Sequence, residues 1–218
     1  MNIQAVVFDV DGTLYSNAAM YRRSMWFGLR NLRFILGMSK IRKQIREMDY
    51  IEDFFTVQAD LLANRLGMSR EKARTYISER VCSWEDELKG IPLMPGLHDF
   101  LDHLTAAGIR TGLLSDFPVQ RKLKIIGMDR DWDCILSSED VGYLKPRIES
   151  FTEVCKRLNL PPDHILYVGN SYSYDVIGAK NTGMLAAHVA AKPVSGTKAD
   201  VTIADYYQLD TWLFDRDD

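Results

Sequence analysis

Residues 6–14 read VVFDVDGTL: an apolar run that reads as a buried β-strand ends in two aspartates one residue apart, followed at once by glycine. Carboxylates set beside Val6, Val7 and Phe8 cost several kcal/mol if buried without a partner. Positive charge is therefore expected to share their site, carried there by other parts of the chain.

Outward from that strand, the region after residue 91 alternates short apolar runs with amphipathic segments. LHDFLDHLTAAG (97–108) puts Leu97, Phe100, Leu101 and Leu104 on one helical face, with Gly108 as a stop. RTGLL (110–114) is a buried strand, and a helix over about 118–126 leads to the strand CIL (134–136). The helix after Lys145 and Pro146 is expected to bury Ile148, Phe151, Val154, Cys155 and Leu158, and Pro161 with Pro162 blocks its continuation. ILYVG (165–169) and LAAHVA (185–190) are strands around the helix SYDVIGAKNTG (173–183); VTI and the helix YYQLDTWLF close the chain. Repeated βαβ units of this kind predict an α/β fold, a Rossmann-like and mostly parallel sheet with helices on both faces.

Residues 16–91 break the rhythm. They show only helical patterns, such as Met25, Leu29, Leu32 and Leu36, then Leu61, Leu62 and Leu66. The expected organisation is an α/β core of residues 1–15 and 92–218, interrupted by an all-helical insert over 16–91.

At 218 residues, 46% hydrophobic and 26% charged, the chain has material for a sizeable core. A net charge of −3 makes no whole-chain case for nucleic acid or a membrane as partner. Three cysteines without a CxxC favour a reducing compartment, and no apolar stretch reaches the roughly 20 residues of a membrane helix. A cytoplasmic location is expected, and the oligomeric state is left open.

Four polar clusters follow predicted strands: Asp9 with Asp11, Ser115 with Asp116, Lys145, and Asn170 with Asp175. All fall at the carboxyl ends of parallel strands, the edge at which an open α/β sheet binds ligands. Carboxylate and carbonyl oxygens suit Mg²⁺, while a serine hydroxyl and a lysine ammonium suit a phosphoryl group. Gly12 lets the backbone turn tightly behind Asp11. An EF-hand loop fails on spacing: with Asp9 as its first position, Gly12 comes two places early and the twelfth is Met20 in place of Glu. An acidic turn, a strand-end serine, a surface lysine and helix-capping Asn170 and Asp175 are the plain readings of the separate clusters; their joint order argues for a site.

DVDGT, LLSD, YLKP and VGNSYSYDVIGAKNTGM, in this order, resemble the four motifs of the haloacid dehalogenase superfamily, its phosphatase branch in particular. The resemblance spans residues 1–15 and 92–218, and the insert is similar to the family's helical cap. It implies Asp9 as nucleophile, Asp11 as general acid and base, and Ser115 and Lys145 as further catalytic groups. It also implies phosphate binding by Gly12, Ser115, Asp116 and Lys145, and Mg²⁺ held by Asp9, Asp11, Asn170 and Asp175. The implied substrate is a small phosphorylated metabolite.

Two positions depart from the pattern. Asn170 stands where an acid is usual, so weaker metal binding is expected. Asp116 replaces a familiar asparagine, and its side chain is expected to turn to a backbone donor.

Two other functions remain open: hydrolytic dehalogenation of a 2-haloacid, against which Asp11 argues because halide needs no general acid, and a catalytically weak protein that binds a partner through a basic cap. From Arg22 to Arg46 there are eight basic residues and no acid. These form a solvated helix face, a basic wall over the site or a docking surface. Tyr15, Met20, Trp26 and Phe117 are candidates to line a pocket beneath it.

Overall fold

Val6 and Phe8 pack on one face of a β-sheet and Ala5 and Val7 on the other, so the first strand is buried on both sides and reads as an unbroken apolar run. The computed structural model describes residues 2–215. Six strands, β1 (Ala5–Phe8), β2 (Arg110–Ser115), β3 (Cys134–Ser137), β4 (Ile165–Gly169), β5 (Leu185–Val189) and β6 (Val201–Ile203), lie in the order β3-β2-β1-β4-β5-β6. Every neighbouring pair is parallel. From β1 the chain builds first to one side and then to the other, which opens a crevice between β1 and β4 at their carboxyl ends.

Helices α1 (Asn17–Arg23), α2 (Met25–Arg30), α3 (Leu32–Arg46), α4 (Phe54–Leu66) and α5 (Arg70–Asp86) come between β1 and β2. The others are α6 (Leu97–Ala106), α7 (Gln120–Ile126), α8 (Ser138–Val141), α9 (Ile148–Leu158), α10 (Ile177–Thr182) and α11 (Tyr206–Phe214). On one face of the sheet Phe100 of α6, Leu123 of α7 and Tyr206 of α11 cover Phe8, Leu113 and Val168. On the other, Phe151, Val154 and Leu158 of α9 cover Val7, Leu114 and Tyr167. The expected face of α9 is corrected at its edges: Ile148 is exposed and Cys155 only half-buried, because both lie at the rim of the stripe centred on Phe151, Val154 and Leu158.

Helices α3 to α5 carry a third apolar cluster, in which Phe34, Ile41 and Ile45 of α3 meet Leu62 of α4 and Ile77 of α5. Ser16, Asp53 and Ser69 accept the backbone N–H groups of Ala19, Thr56 and Lys72 and so start α1, α4 and α5. The chain leaves the sheet and returns at one place, where Met94 N donates to Leu14 O at 2.8 Å. The stripe Met25, Leu29, Leu32 and Leu36 is helical as expected but faces solvent; Phe27 and Phe34 take the buried positions. Among the described residues no helix is long and apolar enough to cross a membrane.

Candidate active site

Parallel pairing brings the four polar stretches to one edge. Asp9 comes directly after β1, its N–H held by Val168 O at 2.9 Å. Ser115 ends β2, Lys145 lies in the loop between α8 and α9, and Asp175 sits in a π-helical turn, Tyr172–Val176, that follows β4. Two glycines make the approach possible. Gly12 has φ +83°, and a Cβ there would collide with the side chain of Asn170; a Cβ on Gly169 would collide with the carboxyl of Asp175.

Lys145 is the centre of the cluster. Its Nζ donates to Asp9 Oδ1 at 2.7 Å, to Asp175 Oδ1 at 2.6 Å and to the Tyr167 hydroxyl at 3.0 Å. Asp175 Oδ2 accepts from Ser171 N at 2.9 Å, which ties the carboxylate into the turn, while the turn itself is capped by the Ser171 hydroxyl and not by Asn170. All three charged groups are buried. Burial pushes the Asp9 carboxyl up to about 7, against the pull of the Lys145 ammonium and with the help of the Asp175 charge. For Lys145 burial works against the charge, but Asp175 and Asp9 outweigh it and hold the ammonium well above its ordinary range. Among the described residues Asp9 Oδ2 accepts one hydrogen bond, from the Thr13 hydroxyl at 3.2 Å.

Asp11 faces a different set of donors. Lys122 Nζ reaches both of its oxygens, at 2.7 and 2.9 Å, and the Tyr15 hydroxyl donates to Oδ1. Lys122 is fully buried on α7, with its ammonium 4.7 Å from the centre of the Trp84 ring. Sequence reasoning missed Lys122; its place between Val119, Leu123 and Ile126 on the inward face of α7 was the available signal.

The Ser115 hydroxyl accepts from Phe117 N at 3.2 Å and has its proton free to donate. Asp116 turns to a backbone donor as expected, with Oδ1 accepting from Lys145 N at 3.1 Å. Its other oxygen takes a hydrogen bond from Arg46 Nη2, a partner not foreseen. Arg42, also on α3, donates to Asp116 O at 3.3 Å and pairs with Glu139 of α8. The two guanidinium groups lie over the Phe117 and Tyr174 rings, at 3.8 and 4.3 Å from the ring centres. Two of the eight basic residues in the run thus turn inward to the edge of the sheet. Of the expected pocket-lining residues, Tyr15 is buried against Asp11 and Phe117 lies under Arg42, whereas Trp26 points to solvent.

Among the described residues no three Asp, Glu, His or Cys side chains are gathered into a metal cage. The donor set still fits a hard divalent cation, because two buried carboxylates share one ammonium and Asp9 is left with its carboxyl near 7, a negative surplus that a cation relieves. The oxygens available are those of Asp9 and Asp175, the main-chain carbonyl of Asp11 and the side chain of Asn170.

Residues 3–183 match the model of the haloacid dehalogenase-like hydrolases. The chain belongs to this hydrolase family. A glyceraldehyde 3-phosphate phosphatase of Methanothermobacter thermautotrophicus is 24% identical over 93% of this hydrolase and 96% of its own length. The pyrophosphatase PpaX of Bacillus velezensis is 26% identical over 86% and 83%. Among solved structures, an HAD phosphatase from Thermococcus onnurineus superposes with a TM-score of 0.61 at 22% identity, covering 97% of this chain and 98% of that one. A 2-haloacid dehalogenase from Pseudomonas syringae does so with 0.68 at 21%, over 97% and 98%. At such identities the superpositions establish the shared fold.

Proposed function

We propose that this hydrolase is a Mg²⁺-dependent phosphatase of small phosphomonoesters, active in the cytoplasm, with residues 16–91 as a cap over the crevice. The observation that carries the reading is the gathering of Asp9 and Asp175 around the Lys145 ammonium, with Asp9 Oδ2 taking one hydroxyl donor among the described residues. The phosphatase names of relatives that align over most of the chain support it.

In this reading Asp9 Oδ2 attacks phosphorus, the O–P bond to Asp9 forms, and the bond to the substrate's ester oxygen breaks. Asp11 gives its proton to the leaving alkoxide, then takes one from the water that cleaves the phosphoaspartate. Lys145 fixes the orientation of Asp9 and, with the Ser115 hydroxyl, receives charge on the phosphoryl oxygens. Asp9, the Asp11 carbonyl, Asn170 and Asp175 would hold Mg²⁺, which would supply further charge neutralisation when bound. Lys122 and Tyr15 act as donors that keep Asp11 in place between its two proton transfers.

Phosphate release from an aryl phosphate, followed by a panel of phosphorylated metabolites, tests the proposal. Asp9→Asn is expected to lower turnover at least ~10⁴-fold, and EDTA to suppress the wild type. Undiminished release under either treatment overturns it, and halide release from 2-chloropropionate without phosphate release establishes the dehalogenase reading instead.

A further inference from the structure

Between Tyr21 and Leu36 the molecular surface is built from two kinds of side chain. Every exposed residue in this stretch is either an arginine, at 22, 23, 30 and 33, or a large apolar residue. Tyr21 is 66% exposed, Trp26 62% and Leu29 64%. The small polar residues turn inward, where Ser24 donates to Met20 O at 2.8 Å and Asn31 to Phe27 O at 2.9 Å. Phe27 and Phe34 fill the buried positions, so this part of the helical segment is apolar on its outer face as well as its inner one, unlike an ordinary solvated helix. Seven of the thirteen large hydrophobic residues exposed among the described ones fall here, so they form a patch and not a scatter.

Charge selects the occupant. The face carries four arginines and no acid; of the chain's 27 basic and 30 acidic residues, 23 and 30 lie elsewhere, a net of −7. A second copy docked through the same face would set arginine against arginine. Apart from guanidinium groups, the Tyr21 hydroxyl and the Trp26 indole N–H, the exposed side chains of residues 21–36 offer no hydrogen-bonding partner for a shaped protein surface, and Tyr and Trp both suit a membrane interface. An anionic bilayer surface asks for none: it takes apolar side chains into the acyl boundary and arginines among its headgroups. The acidic remainder of the molecule is repelled by that surface, which fixes the orientation.

We propose that the face formed by α1, α2 and the first turn of α3 docks the protein on an anionic phospholipid surface. Whole-chain charge gave no sign of this, because the acidic remainder masks the local excess. The proposal stands independently of the phosphatase reading.

Co-sedimentation of the full chain with phosphatidylcholine vesicles containing about 30% phosphatidylserine tests it, with phosphatidylcholine alone as the control. Binding is expected to the anionic vesicles, at least ~10-fold weaker to the neutral ones, and to fall as salt is raised. The pair Leu29→Glu and Leu32→Glu is expected to weaken it about 100-fold, and Arg30→Glu with Arg33→Glu at least ~30-fold. All four positions are exposed, so unchanged circular dichroism confirms that each variant is folded. Failure to pellet with anionic vesicles overturns the proposal, as does pelleting that neither pair alters. A concentration-dependent dimer dissociated by Leu29→Glu, in a chain that ignores lipid, replaces it with self-association.

Discussion

Two buried clusters of charge lie side by side at the carboxyl edge of the sheet, and they are balanced differently. In the first, the carboxylates of Asp9 and Asp175 share the single ammonium of Lys145. In the second, Asp116 and Glu139 meet two guanidinium groups, Arg42 and Arg46, delivered by α3 from a different segment of the chain. The clusters touch where Lys145 N donates to Asp116. A balanced set of buried charges holds two segments together. The other set is one positive charge short, and burial together with the Asp175 charge raises the Asp9 carboxyl within it.

The sharpest way to break this contrast is to deepen the imbalance. Lys145→Met leaves two carboxylates buried without a counter-charge, which is expected to destabilise the metal-free protein by ~3–5 kcal/mol at neutral pH. The folded state then keeps protons that the unfolded chain releases, so stability must rise on acidification toward pH 5. Urea titrations in EDTA at pH 5 and pH 8 measure both effects. Equal midpoints at the two pH values would mean that the ammonium does not neutralise this pair.

Removing the surplus charge should have the opposite sign. Asp9→Asn leaves Lys145 and Asp175 as a neutral pair. In the wild type Asp9 titrates near 7 when folded and near 3.8 when unfolded, so its contribution to stability declines as pH rises between those values. The variant escapes that decline. It is expected to match the wild type near pH 4 and to exceed it by ~2–4 kcal/mol above pH 7 without metal, while losing activity. Thermal melts across that range in EDTA decide it, and a variant less stable at pH 8 would contradict the surplus-charge account.

The first cluster was largely legible in the sequence, and the second was not. Asp9 and Ser115 stand at the ends of two apolar runs readable as buried strands, and Lys145 and Asp175 lie a few residues beyond two more, so parallel topology carried all four toward one edge. Gly12 and Asn170 came with them. Lys122 and Arg46 find their partners 111 and 70 residues away, across a helical segment whose docking no local pattern encodes. Periodicity placed Met25, Leu29, Leu32 and Leu36 on one helical face but did not say that the face points outward. The same ambiguity put Trp26 in an expected pocket that it does not line.

The smallest effect is expected at the balanced cluster, and it sharpens the comparison most. Burial lowers the Arg42 pKa and raises that of Glu139, so each charge is tolerated for the sake of the other. Arg42→Met strands Glu139, and Glu139→Met leaves Arg42 only a 3.8 Å approach to an Asp116 carboxylate that Arg46 already holds, with its Nε lacking a partner among the described residues. Each single change is expected to cost ~2–4 kcal/mol. The double variant removes both charges and keeps the stem volume in the cleft, so its cost should fall to about 1 kcal/mol, the residue reflecting the lost bond to Asp116 O and stacking on Phe117. Urea denaturation of the four proteins gives a coupling energy of ~3 kcal/mol or more if the clusters differ as described. Costs that simply add would show that Arg42 and Glu139 do not neutralise one another, and the contrast with the Lys145 cluster would lose its meaning.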